Sequence, residues 1–192
     1  MVLNWSIKTF FTKHIKIEEY IKNVPNISVM KIINYYSEKY NVPFYVLLGI
    51  FIIESTNRTL LFRFIEYIVA TICGLLSLLL KKPIKNYTVG VCQVGIGNIL
   101  YLNSNRDNRY DGSLSIKNYN EFKIVIMAFK KNNNIMIAAM LIKEFLNESK
   151  DLNSDRQIRY VGQKYNGKIE YGIFLSKLVQ ALEKDKIIER IL

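Results

Sequence analysis

Glu54 closes a run, Val42 to Ile53, that is almost wholly apolar, and Ser55 follows it at once. An ionised carboxylate is costly to bury, so such an acid is paired, neutral, or at the surface end of its helix. A neutral, desolvated carboxylic acid has a raised pKa and can deliver a proton near neutral pH. Taken alone, a glutamate at a helix end is most often a solvated surface residue, so neighbouring signals decide its meaning. Thr88-Val89-Gly90-Val91-Cys92-Gln93 is one such signal, a Gly-containing turn ending in a primary amide. Tyr165-Asn166-Gly167, followed by the tyrosine-bearing stretch YGIFLSKLVQAL, is another. Asp107 and Asp111, in the polar stretch NSNRDNRYDGS, are the candidates for a second carboxylate.

Other catalytic chemistries lack the residues they need. His14 is the single histidine and lies in a polar N-terminal stretch, which leaves Ser/His and Cys/His nucleophiles without a base. Cys73 and Cys92 are the two cysteines, and neither falls in a CxxC or Cys/His cluster. A disulfide framework or zinc site is therefore not expected, and no metal or cofactor is implied. Cys92 reads as a small apolar filler, and carboxylates remain as the catalytic groups.

The elements that must position these residues are helical. Helical spacing prevails from Ser28 onward and two-residue alternation is sustained nowhere, which predicts an all-α domain. Helices are expected at about Ser28 to Tyr40 with Ser28 as cap, Pro43 to Ser55, Leu61 to Lys81, Gly97 to Asn103, Tyr119 to Lys131, Asn134 to Glu148, Asp155 to Tyr165 and Tyr171 to Arg190. The stretch from Lys85 to Gly97, with Gly90, Gly95 and Gly97, reads as a loop. Residues 1–27 form a segment of unassigned role, and residues 28–192 form the domain.

The order and spacing of these motifs resemble the lysozyme-like superfamily, and within it the soluble lytic transglycosylase and goose-type lysozyme group. The matching residues are Asn41-Val42-Pro43 with Glu54-Ser55, Thr88 with Gly90 and Gln93, Asn134-Ile135 with Leu141, and Tyr165-Asn166-Gly167. The resemblance covers about residues 28–183. Thr88 stands where that group commonly has Ser, Val91-Cys92 where it has Leu-Met, and the last motif is one residue shorter, as in some phage-type muramidases. The resemblance implies a lysozyme-like helical domain with a cleft that cleaves the β-1,4 bond between N-acetylmuramic acid and N-acetylglucosamine in peptidoglycan. It implies Glu54 as sole acid/base, giving a 1,6-anhydro product, with hydrolysis at the same site as the alternative. Ser55, Thr88, Gly90, Gln93, Tyr165 and Asn166 are then expected to bind substrate. Gly90 would admit a close approach of the saccharide, and Tyr165 would sit near Glu54.

The formal net charge of +11 calls for an anionic partner, such as the bacterial wall, a membrane surface or a nucleic acid. The lysines are scattered without interleaved aromatics, which argues against specific nucleic-acid binding. Residues 1–28 lack the apolar core of a secretory signal, so a cell-envelope site of action would need a non-classical route: secretion, conjugation or phage lysis machinery. Tyr67 to Leu80 is strongly apolar but, at about 14 residues, short of the ~20 that span a bilayer. A buried core helix is the first expectation for it. Membrane-surface contact through Leu61 to Lys81 is the second, and with it a membrane-active helical protein as a rival to the enzyme.

Overall fold

A computed structural model describes residues 17–58, 60–103 and 114–185. The protein is mostly helical, as its spacing predicts. The helices are α1 (Ile17–Ile21), α2 (Ile27–Tyr40), α3 (Phe44–Thr56), α4 (Leu60–Leu80), α5 (Ile96–Asn103), α6 (Tyr119–Met127), α7 (Lys131–Glu148), α8 (Ser154–Asn166) and α9 (Ile169–Lys184). The stretch expected as a plain loop before α5 holds a small hairpin, β1 (Thr88–Val89) and β2 (Val94–Gly95), paired antiparallel with Thr88 opposite Gly95 and Val89 opposite Val94. Two residues per strand are too few for an alternating pattern to register.

α3 is the axis of the domain. Pro43 sits at its N-cap, and every residue from Val46 to Glu54 is buried. A helix that is apolar all round is stable only when it is enclosed. Here α1, α2, α7 and α9 surround it. Gly49 lets α9 come close, since a Cβ there would lie 2.9 Å from a Leu175 methyl.

Asparagines set several helix boundaries. Asn26, Asn118 and Asn153 are the N-caps of α2, α6 and α8, their side chains accepting from the N–H of Val29, Glu121 and Arg156. Asn26 thus takes the capping role expected of Ser28, whose hydroxyl instead donates to the Asn26 side chain at 2.7 Å. Gly167, at φ +80°, closes α8 in the left-handed conformation.

The first helix, within the segment of unassigned role, packs against α3 and α9. Tyr20 of α1 is 2% exposed, meets Phe174 of α9 edge-on, and donates its hydroxyl proton to Asn57 at the end of α3 at 2.7 Å.

α4 departs from the expected buried core helix. Its inward face, including Ala70, Gly74 and Ser77, packs on the domain, while Leu61, Phe64, Ile72 and Leu79 lie exposed on the outside. The expected α9 terminus at Arg190 and the candidate acids Asp107 and Asp111 lie outside the described residues.

α8 and α9 meet through two glycines. A Cβ on Gly162 would lie 2.7 Å from the Gly172 Cα, and one on Gly172 would lie 2.2 Å from the Arg159 carbonyl oxygen. Backbone cannot yield as a side chain does. Gly172→Ala is expected to cost about 1–3 kcal/mol, read as a lower urea midpoint at unchanged m-value.

Candidate functional site

Glu54 ends the apolar core of α3 and is 7% exposed. Burial pushes its pKa up from 4.5 to about 7, against the opposing pull of the Tyr171 hydroxyl and the positive charges of Arg58 and Arg63. Desolvation is the largest influence, so the acid is held near the point where protonated and ionised forms coexist at neutral pH. The two arginines come from different places: Arg58 from the segment leaving α3, and Arg63 from the first turn of α4, where it also donates to the Ser55 carbonyl at 3.1 Å.

The Gly turn joins this acid through a chain of side chains. The Thr88 hydroxyl donates to Gln93 Oε1 at 2.7 Å. Gln93 Nε2 donates in turn to Glu66 Oε2 and to the Gly90 carbonyl, each at 3.0 Å. Glu66, on α4, forms an ion pair with Arg58, which in turn lowers the pKa of Glu54. Glu66 is thus a further carboxylate tied to this turn and to Arg58, while the sequence candidates for a second carboxylate, Asp107 and Asp111, lie outside the described residues. Its apolar surroundings in sequence hid it, because a single acid within a long apolar run reads as an interruption.

Asn134 holds the turn rigidly. Fully buried at the start of α7, it accepts the Cys92 N–H at 2.7 Å and donates to the carbonyls of Val89 at 2.9 Å and Ala128 at 3.1 Å. Gly90, at φ +83°, lies so close that a Cβ would sit 2.0 Å from Asn134 Nδ2. The close approach expected between Gly90 and a ligand is therefore, in this structure, made with Asn134. Gln93 also adopts a left-handed conformation, φ +51°, which a non-glycine residue holds at a cost of ~1–3 kcal/mol. Its hydrogen bonds on both sides of the amide offset that cost.

Two tyrosines divide the work expected of Tyr165. Tyr165 donates to the Cys92 carbonyl at 2.7 Å and so pins the turn from the side opposite Asn134. Tyr171, buried on α9, is the tyrosine whose hydroxyl acts on Glu54, pulling its pKa down. The sequence signal for Tyr171 was only its place just after the Tyr-Asn-Gly motif.

The remaining expected ligands are placed as follows. The Ser55 hydroxyl donates back to the Ile52 carbonyl of its own helix at 3.2 Å. Asn166 Oδ1, Thr56 Oγ1 and Arg63 Nε are buried without a hydrogen-bond partner among the described residues. Unmet buried polar atoms are costly, and they mark where water or a polar ligand would be held. Cys92 is fully buried, and burial raises its thiol pKa, which suits a filler and not a nucleophile. No group of three or more potential metal ligands occurs among the described residues.

No family model matches the chain, and neither the curated proteins nor the solved structures contain a match to it.

Two outcomes follow for the acid. The folded pKa of Glu54 exceeds the unfolded value, so the native state holds its proton more tightly. Its contribution to stability is then greatest below about pH 4.5 and falls as pH rises to about 7, by up to about 3 kcal/mol. Glu54→Gln is expected to flatten this slope, seen in urea midpoints at about pH 5 and about pH 8. Tyr171→Phe removes a hydroxyl that favours the ionised form, so the carboxyl resonance of Glu54 in carbon NMR should titrate above its wild-type midpoint. A midpoint that stayed put or fell would exclude that influence.

Proposed function

We propose that the chain is a peptidoglycan-cleaving enzyme of the lysozyme-like fold, a lytic transglycosylase in which Glu54 is the sole acid/base. The observation that carries the reading is the buried Glu54 with its pKa raised to about 7, beside the turn that Gly90, Asn134 and Tyr165 build together. These residues come from the separate motifs of the family resemblance, and they meet at one place beside the acid. That convergence is what supports the reading.

The mechanism begins with protonated Glu54 giving its proton to the glycosidic oxygen of the N-acetylmuramic acid–N-acetylglucosamine bond, which breaks. The carboxylate that results is stabilised by the Tyr171 hydroxyl and by the charges of Arg58 and Arg63. It then takes the proton of the muramic 6-hydroxyl, whose oxygen closes on C1 to give the 1,6-anhydro sugar. The proton count returns to its start, and no metal or cofactor takes part. Ser55, Thr88, Gln93 and Asn166 are the proposed saccharide contacts, with Asn166 Oδ1 as the acceptor that still needs a donor. A protein of net charge +11 is drawn to the anionic wall. The proposed site of action is the bacterial envelope, reached by secretion, conjugation or phage lysis machinery.

A hydrolytic muramidase is the second reading, and Glu66 favours it. A second carboxylate, linked to the acid through Arg58, is the group that hydrolysis by the two-carboxylate route requires.

The deciding experiment is mass spectrometry of muropeptides released from purified peptidoglycan. Wild type is expected to release anhydro-muramyl products, with Glu54→Gln folded but slower by ~10²–10⁴-fold. Activity should fall as pH rises through about 7, where the acid loses its proton. Reducing-end muramic acid products abolished by Glu66→Gln would replace the transglycosylase by the hydrolase. Wild-type rates from Glu54→Gln would remove both.

A further inference from the structure

α4 has its polarity reversed. Across its 21 residues the charged side chains are Arg63 and Glu66, and both are engaged with the domain, Arg63 on the Ser55 carbonyl and Glu66 on Arg58 and Gln93. Ser77 likewise turns inward, donating to the Lys82 carbonyl and accepting the Ile116 N–H. The outward face carries Leu61, Ile65, Ile68, Ile72, Leu75 and Leu79 in steps of four and three, all exposed, from 42% at Ile68 to 67% at Leu61. A water-facing helix surface is ordinarily polar, so a stripe this long implies a covering partner.

The stripe has the spacing of a coiled-coil seam, but its borders do not suit one. Positions that flank such a seam usually carry Glu and Lys, and here they are Phe62, Phe64, Val69, Thr71, Leu76 and Leu78. The apolar surface is thus broader than one helix can cover. Charge points to the same partner. From Tyr67 to Asn103 the sequence has Lys81, Lys82 and Lys85 and no Asp or Glu. All three lysines are exposed just past the C-terminal end of the stripe, where Lys81 Nζ donates to the Lys117 carbonyl. Apolar side chains beside exposed ammonium groups match a bilayer surface with anionic headgroups.

We propose that α4 is a membrane-docking helix that lies flat in the headgroup region of an anionic lipid bilayer and does not span it. Its length of ~30 Å would suffice to cross. Crossing, however, would draw the elements packed on its inner face into the hydrocarbon. Gly74 is pressed against Ile116 and Phe122, and Tyr67 stacks on Phe129 with ring centroids 4.6 Å apart. Phe122 belongs to α6, which also carries Asn120, Glu121 and Lys123. Lying flat buries the stripe and leaves those groups on the aqueous side. This inference is independent of the glycosidic reading of Glu54.

The test is flotation of the full chain with vesicles of phosphatidylcholine alone and of phosphatidylcholine containing phosphatidylglycerol. Wild type is expected to float with the anionic vesicles and to be released by salt more readily than by dilution. Ile72→Glu with Leu75→Glu, both at exposed positions, should keep the wild-type circular dichroism and lose binding by at least about tenfold. A fluorophore placed in turn at residues 65, 72 and 79 should be quenched by lipid labels at one common shallow depth. Quenching of residue 72 at the depth of the bilayer centre, with 65 and 79 shallower, would overturn the flat arrangement in favour of a span. Wild type that stays in solution would overturn the proposal, as would double-variant binding equal to wild type. A concentration-dependent dimer that the double variant abolishes, with no flotation, would assign the stripe to a second copy instead.

Discussion

A carboxylate whose solvation has been taken away governs the organisation of this domain. Glu54 ends a helix that is enclosed on all sides, and the enclosure is what raises its proton affinity. Without compensation, the ionised form would be strongly disfavoured and the acid would be chemically idle at neutral pH. Tyr171, Arg58 and Arg63 bring it back to a pKa of about 7. Each comes from a different part of the chain, so the poise of the acid reports on the packing of α3 with α4 and α9 together.

The turn beside the acid is built by a similar economy. Asn134 satisfies one N–H and two carbonyls with a single side chain, and a primary amide suits that task because it donates and accepts at once. Gly90 must lack a Cβ because the amide occupies the space. Tyr165 closes the other side at the Cys92 carbonyl. Residues far apart in the chain thereby share one structural purpose, which explains their joint occurrence better than separate ligand contacts would.

α4 links this site to the outside of the molecule. Its inner surface contributes Arg63 and Glu66, and its outer surface is apolar over five turns. A helix with such a division is expected to be stable only where both faces are covered, one by protein and the other by something equally apolar. The catalytic reading and the lipid reading therefore rely on opposite faces of one element and do not compete for residues.

Helices were legible in the sequence because their apolar spacing is local. Pro43 marked the start of α3 to within a residue or two, and the isolated acid after Ile53 drew attention to Glu54. The Asn134, Gly90 and Tyr165 motifs were visible as residue types, but their purpose was not, because it consists of contacts across 42 to 73 positions of chain. The same holds for Tyr171 and Glu66. One was a tyrosine among 13 and the other an acid inside an apolar run, and only folding brings them to Glu54 and Gln93. The orientation of α4 was likewise beyond a one-dimensional reading, since a run apolar on most sides looks the same whether it faces core, lipid or water. The spacing of apolar residues determined that the chain would be helical and that one acid would end an apolar helix. Tertiary packing decided which groups tune that acid and which face of α4 is left to the solvent, because both depend on distances that the order of residues does not contain.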